Sequence, residues 1–233
     1  MSNTLKSVNV DLWLHICKMK TKEERENDMK LFNSMGPNPH IVRMYAAELG
    51  VTFNQVEEID LMAGDNRKPE FLQHNPAGQL PALVMDNGDI IAEITAICEY
   101  LDEITDGKTL MGNTAAERAH TRMWTRRVDL GICEPMVNGF RYAEGMAIFK
   151  DRMVTVPEGA DGLKNVAQSR LNWLNEQMTD GREFVAGSTV SLADVLLFGM
   201  LAFAANVGQP LNPEHKHVCA WFGRMGERPS AAA

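Results

Sequence analysis

The residues best suited to chemistry near the start of the chain lie in the loop FNSMGPNPH, residues 32–40, where Ser34 contributes a hydroxyl and Asn38 a carboxamide on either side of Gly36. Both side chains donate hydrogen bonds. A monothiol redox mechanism is not expected there, because the nearest loop position holds Met35 and no Cys lies within ten residues. Asn38 also has a structural reading, as the N-cap of a helix with Pro39 at its first position, and the two roles are compatible. His40 reads as a structural residue at the same helix start. Further along, Glu93, Ile94 and Thr95 open an apolar-periodic segment. The first N–H groups of a helix beginning there have no internal partner and form an anion site. Leu80-Pro81, preceded by Gln79, introduces a strand, either as an ordinary turn proline or as a backbone edge whose N–H and C=O receive an extended ligand. Arg67 and Lys68, in the loop after the second strand, are able to pair with a carboxylate. Cys17, Cys98, Cys133 and Cys219 form no CxxC pair, and His215 and His217 lack ligand-like neighbours, so neither a zinc site nor a disulfide scaffold is expected.

These residues need a scaffold, and the hydrophobic pattern supplies one. A strand-like run from Met29 to Phe32 leads through SMGPNP into a helical spacing at Ile41, Met44, Tyr45 and Leu49, which Gly50 ends as a left-handed cap. VTFNQVEEIDL suits a second strand, and AGDNRKPEF a loop with a short helix. LPALVM and DIIA flank Asp86-Asn87-Gly88 as a hairpin, with Asn-Gly supplying positive φ angles. Ile94, Ile97, Cys98 and Leu101 then share one helix face, with Gly107 marking the exit. The order is β-α-β-α-β-β-α. From Asn113 the pattern is helical throughout. One stretch runs through Met123, Trp124, Val128, Ile132 and Met136; another stripe joins Leu163, Val166, Ala167, Arg170, Leu171, Leu174 and Met178. VSLADVLLFGMLAFA is apolar nearly all round and reads as a buried helix, opened by a Ser191/Asp194 capping box with Val190 and Val195 as its hydrophobic staple.

The chain of 233 residues therefore divides into three parts: an appendage at 1–28, an α/β unit at 29–106 and an all-α unit at 113–233. The appendage, with its mixed charge, is expected to bury little. A net charge of −8 argues against nucleic acid, and no apolar run approaches the roughly 20 residues of a membrane span. The segment before Cys17 makes a poor secretory signal, and a reducing, cytoplasmic compartment is expected.

NPAGQLPALVMDNGDIIAEITAICEYL (residues 75–101) resembles the thioredoxin-like half of cytosolic glutathione transferases, and SLADVLLFG resembles the capping-box helix of their helical half. With KLFNSMGPNPHIVRMYAAELGV, the resemblance covers about residues 30–230 in the right order. It implies a thioredoxin-like N-terminal domain followed by an all-α domain, a homodimer built on the long helix near 114–140, and glutathione as co-substrate, with no tightly bound cofactor. It also implies a cis Leu80-Pro81 turn, Gln79 on the glutathione backbone, Glu93, Ile94 and Thr95 at the γ-glutamyl carboxylate, and Arg67 or Lys68 at the glycyl carboxylate. Two departures stand out. Ile94 replaces the usual Ser, leaving only Thr95 to supply a hydroxyl, and Gly36 stands where an activating hydroxyl belongs. The Pro-Asn of MGPNPH resembles the turn of the bacterial Nu class, in which Asn points at the sulfur. Asn38 is thus the leading thiol donor, with Ser34 and loop N–H groups as fallbacks. The implied function is thiol activation for attack on a small electrophile, with Trp124, Arg127, Met136 and Phe140 as candidate electrophile-site residues. A glutathione-dependent disulfide reductase and a non-catalytic binding or regulatory module are the alternatives.

Overall fold

The computed structural model describes residues 29–233; the appendage expected at 1–28 lies outside the described residues. Strands β1 (Lys30–Asn33), β2 (Gln55–Glu58), β3 (Ala82–Val84) and β4 (Ile90–Ala92) form one sheet in the order β2-β1-β3-β4. β1 runs parallel to β2, joined by helix α1 (Pro37–Leu49), and antiparallel to β3, which pairs with β4 as the expected hairpin. Alternation places Leu31 and Leu83 in the main core and Phe32 and Ala82 in a second cluster, where they meet Phe71 of the short helix α2 (Pro69–Leu72). Both faces of the small sheet are thereby covered. Gly50 ends α1 at φ 78°, its N–H bonding back to the last turn. The hairpin turn differs in detail from expectation. Gly88 alone takes a positive φ (86°), and Asn87 instead accepts the Asp89 N–H through its side chain at 3.0 Å.

Helix α3 (Ile94–Ile104) presents Ile97, Cys98 and Leu101 to the core. The connection to the helical half is tied down by Asp102, whose carboxylate accepts the Tyr45 hydroxyl at 2.8 Å and the Leu110 N–H at 2.7 Å. A full capping box of Thr114 and Glu117 starts α4 (Ala115–Val128). A π-helical turn at Asp129–Cys133 then leads into α5 (Glu134–Arg141). The buried stripe Trp124, Val128, Ile132, Met136 explains that turn. Residues four apart drift by about 40° per step on an α-helix of 3.6 residues per turn, and one wider turn takes up the drift. Met123 falls off the stripe and is exposed.

After α6 (Met146–Phe149), α7 (Ala160–Gln177) buries Ala167, Leu171 and Leu174, while Val166 of the expected stripe faces solvent. α8 (Leu192–Asn206) is the buried central helix. Fully buried Asp194 accepts hydrogen bonds from the Ser191 N–H and hydroxyl (2.9 and 2.6 Å), the Val185 N–H (2.7 Å) and the Trp221 indole of α9 (Lys216–Gly226; 2.8 Å). Of the staple residues, Val195 lies in the core and Val190 packs partly buried against it. α8 lies close against α1, where a Cβ on Gly199 would stand 2.4 Å from Ile41 Cγ1. The main hydrophobic cluster accordingly runs unbroken from Leu31, Ile41 and Leu83 to Leu196, Val218 and Trp221. Beyond α9 the last residues strap back over α1. Arg228 forms a two-pronged ion pair with buried Glu48 (2.6 and 2.7 Å), Ser230 bonds the same carboxylate, and the Ala231 carbonyl meets His40 at 3.1 Å, which gives His40 its structural role. Among the described residues no helix is long and apolar enough to cross a membrane.

Candidate active site

Where α1 and α3 meet α5 and α8, two adjoining cavities open. The first, of about 340 Å³, is lined mainly by polar groups; the second, of about 460 Å³, is mainly apolar. Asn38, Gln79, Leu80, Val137 and Arg141 line both.

The shared wall begins at the first turn of α1. Gly36 is the N-cap, at φ 109° and ψ 176°, followed by Pro37, Asn38 and Pro39. The expectation of an Asn38 N-cap is therefore corrected: Asn38 occupies the second helical position, and Gly36 takes the cap because its φ suits glycine. Pro37 and Pro39 carry no N–H, so of the first three helical residues only Asn38 offers a backbone donor. The side-chain amide of Asn38 makes no hydrogen bond with any described residue. Ser34 lines the apolar cavity, but its hydroxyl donates to the Ile59 carbonyl at 2.8 Å and is already used.

The floor of the polar cavity is the start of α3. Glu93 precedes it at φ 73°, the single non-glycine positive φ among the described residues, and no side chain caps the helix. The N–H groups of Ile94 and Thr95 are left toward the cavity these residues line. The Leu80-Pro81 peptide is cis, and both residues border the same space. Gln79 is exposed, and the Asn75 side-chain amide donates to its carbonyl at 2.8 Å, which holds the turn.

The opposite wall was not foreseen. Asp129, Glu134 and Arg141 line the polar cavity. Five residues apart, Asp129 and Glu134 would point about 140° away from each other on an α-helix. The π turn, closed by the Glu134 N–H on the Asp129 carbonyl, brings both to the cleft. No α-helical periodicity carries that signal. Burial pushes the Asp129 carboxyl upward, with the Glu134 charge adding to the effect. Burial also lowers the proton affinity of Arg141, against the pull of Glu134.

Arg67 lines the apolar cavity beside Gly78, its Nη1 3.4 Å from the Ala77 carbonyl. Lys68 lies outside both cavities and pairs with Asp65 at 2.6 Å, so it does not join the site. Of the expected electrophile-site residues, Phe140 lines the apolar cavity, whereas Trp124, Arg127 and Met136 line neither. Trp124 is buried against Trp173 (centroids 5.8 Å apart) with Arg127 and Arg182 over its ring, and Met136 is core. Packing claims them. His215 is buried at the start of α9, and among the described residues no group of three or more His, Cys, Asp or Glu is arranged to hold a metal.

Residues 35–104 match the family described as "Glutathione S-transferase, N-terminal domain", and residues 155–229 that described as "Glutathione S-transferase, C-terminal domain". The chain is 31% identical over 210 residues to Glutathione S-transferase 2 of Saccharomyces cerevisiae, covering 89% of this chain and 90% of that protein. It is 30% identical to Glutathione S-transferase GstA of Escherichia coli O157:H7, covering 86% and 94%. Among solved structures, a glutathione S-transferase domain-containing protein from Marinobacter aquaeolei superposes with a TM-score of 0.81 at 33% identity, over 87% of this chain and 99% of that one. With the thioredoxin-like sheet, the all-helical half and these matches in agreement, the chain belongs to the cytosolic glutathione S-transferase superfamily.

Proposed function

We propose that the protein is a glutathione transferase that binds glutathione in the polar cavity and activates its thiol for attack on a small electrophile held in the apolar one. The observation that carries this reading is the shared wall: Asn38, its amide unbonded, borders both spaces. Residues 29–106 form the glutathione-binding unit and 113–233 the helical unit. The γ-glutamyl carboxylate takes the N–H groups of Ile94 and Thr95 at the start of α3. The γ-glutamyl ammonium faces the Glu93, Asp129 and Glu134 carboxylates, the extended backbone lies along Leu80-Pro81 and Gln79, and the glycyl end extends past Gln79 to Arg67 in the adjoining cavity. The protein works as a homodimer in the reducing cytosol, where glutathione is abundant.

A glutathione thiol resembles a free cysteine, with a pKa of about 8.5. Lowering that value by about two units takes roughly 2.7 kcal/mol of preferential thiolate stabilisation. One charge-assisted hydrogen bond contributes about 1.5–3 kcal/mol, so a single carboxamide donor is nearly sufficient. The thiol releases its proton to solvent and Asn38 donates to the sulfur anion. The sulfur electron pair then forms the new bond to the electrophile, whose leaving group departs with the pair of the broken bond. Asn38→Ala is expected to raise the pKa of bound glutathione by about one unit or more and to slow conjugation near pH 6.5 about tenfold, with affinity for glutathione retained. Ser34→Ala leaves the titration in place, because its hydroxyl is spent on Ile59. The ultraviolet thiolate band of bound glutathione, followed against pH in the parent and both variants, is the measurement. A band that moves with Ser34→Ala and not with Asn38→Ala removes Asn38 from this role.

A further inference from the structure

The apolar cavity is not neutral. Its lining contains three guanidinium groups, Arg67, Arg141 and Arg152, and no Asp or Glu, in a chain of net charge −8. Two of those cations hold buried donors with nothing to bond: Nε of Arg141 and Nη1 of Arg152 are shut away from solvent and have no hydrogen-bond partner. An enclosed, unpaired donor on a charged group is costly; these two atoms are themselves covered, so an anion in the cavity acts on the guanidinium charge through the part of each planar fork that lines the space. Arg141 is partly held, with its Nη1 on Asn138 Oδ1 at 3.1 Å and its guanidinium 5.5 Å from the Phe149 ring centre. The Arg152 side chain makes no hydrogen bond with any described residue. Beside these cations stands an aromatic wall, in which Phe140 meets Phe149 edge-on at 6.2 Å and Phe203 at 5.0 Å.

An aromatic wall next to unpaired guanidinium donors defines a ligand with two ends. We propose that the second substrate is an anion, a ring-sized apolar electrophile bearing a carboxylate, with the carboxylate held by Arg152 and Arg141 and the ring against Phe140 and Phe149. This rests on the transferase reading above and narrows its substrate class. The polar cavity supports the division of labour. Its Glu93, Asp129 and Glu134 would repel a second anion; of the three cations of the apolar cavity, Arg67 is the one taken by glutathione in the proposed function, which leaves Arg141 and Arg152 for the second substrate. For an aryl halide of this kind, the thiolate sulfur forms a bond to the halogen-bearing carbon and the carbon–halogen bond breaks. Halide leaves with the electron pair, and the carboxylate is unchanged.

The test compares 4-chloro-3,5-dinitrobenzoate with its methyl ester, each kcat/KM divided by the uncatalysed rate of the same compound with glutathione. The parent is expected to favour the carboxylate about tenfold, as one charge-assisted contact allows. In Arg152→Gln the ratio should fall toward one, and Arg152→Lys should be intermediate. A parent that conjugates both compounds with no preference for the carboxylate overturns the inference and leaves the transferase reading intact. Calorimetric titration with 3,5-dinitrobenzoate, which has no leaving group, separates the two ideas. Binding that survives saturating glutathione and weakens at least fivefold in Arg152→Gln supports the anion site even if neither chloride is conjugated, an outcome that would sink the transferase reading instead. Displacement of 3,5-dinitrobenzoate by glutathione would show one shared carboxylate site and overturn the proposal.

Discussion

The first turn of α1 concentrates charge stabilisation on one residue. With prolines at 37 and 39, a helix start that would ordinarily present a row of backbone donors presents the N–H of Asn38 and, beside it, the Asn38 side chain. Gly36, just before it, holds a backbone conformation that residues with a Cβ adopt only under strain. Nothing lies within 4 Å of the position its Cβ would take, so the penalty for adding one is conformational and not a clash. Gly36→Ala and Gly36→Ser are expected to lower stability in urea by about 1–3 kcal/mol, and Gly36→Ser to gain no thiol activation, because the strained turn must shift to accept it. Unchanged urea midpoints would show that the turn tolerates a side chain. Ser34→Ala should cost about 1 kcal/mol, the loss of its hydrogen bond to Ile59, while the glutathione thiol titrates as in the parent.

Among the elements, α1 and the C-terminal strap carry the clearest pH dependence. Burial alone would raise the Glu48 carboxyl, but hydrogen bonds from Arg228 and Ser230 and the charges of Arg228 and Lys108 outweigh it and hold Glu48 below its usual range. A carboxyl whose folded pKa is depressed stabilises the fold above its unfolded value, about 4.3, and that stability is lost as pH falls through the folded value. The parent should lose stability on acidification below about pH 4, and Glu48→Gln should flatten that part of the profile while costing about 2–3 kcal/mol at neutral pH. Urea denaturation at a series of pH values checks both, and equal acid slopes in the two proteins would contradict the assignment. Elements whose register follows one period were readable in advance: Gly50 closes α1, the Asp86–Gly88 turn joins β3 to β4, and Ser191 with Asp194 starts α8. What escaped were the features where two rules compete. The π turn at Asp129–Cys133 breaks the 3.6-residue period and thereby aims Asp129 and Glu134 at the cleft. The strap joins residues 180 positions apart, a distance over which local pattern is silent.

Across the whole molecule, the cleft grades in charge: three carboxylates line the polar cavity and none the apolar one, which holds Arg67 and Arg152, while Arg141 borders both. The sequence pattern grouped Gln79, Leu80, Pro81, Glu93, Ile94 and Thr95, which sit in two short motifs and all line the polar cavity. It misplaced much of the helical face, since Trp124 and Arg127 are as suited by type to a substrate pocket as to the stacked Trp–Arg packing that holds them. The two halves nonetheless share one hydrophobic cluster, and a glycine at 199 lets α8 seat directly on Ile41 of α1. A protein with two sequence-defined units and a single continuous interior has no seam along which heat can part them. Differential scanning calorimetry should therefore record one endotherm whose calorimetric and van't Hoff enthalpies agree per folded unit, and glutathione, in the proposed site lined by both halves, should move that endotherm upward without splitting it. Two resolved peaks would mean that the thioredoxin-like half melts on its own, and that the continuity of packing across Gly199 does not extend to cooperativity.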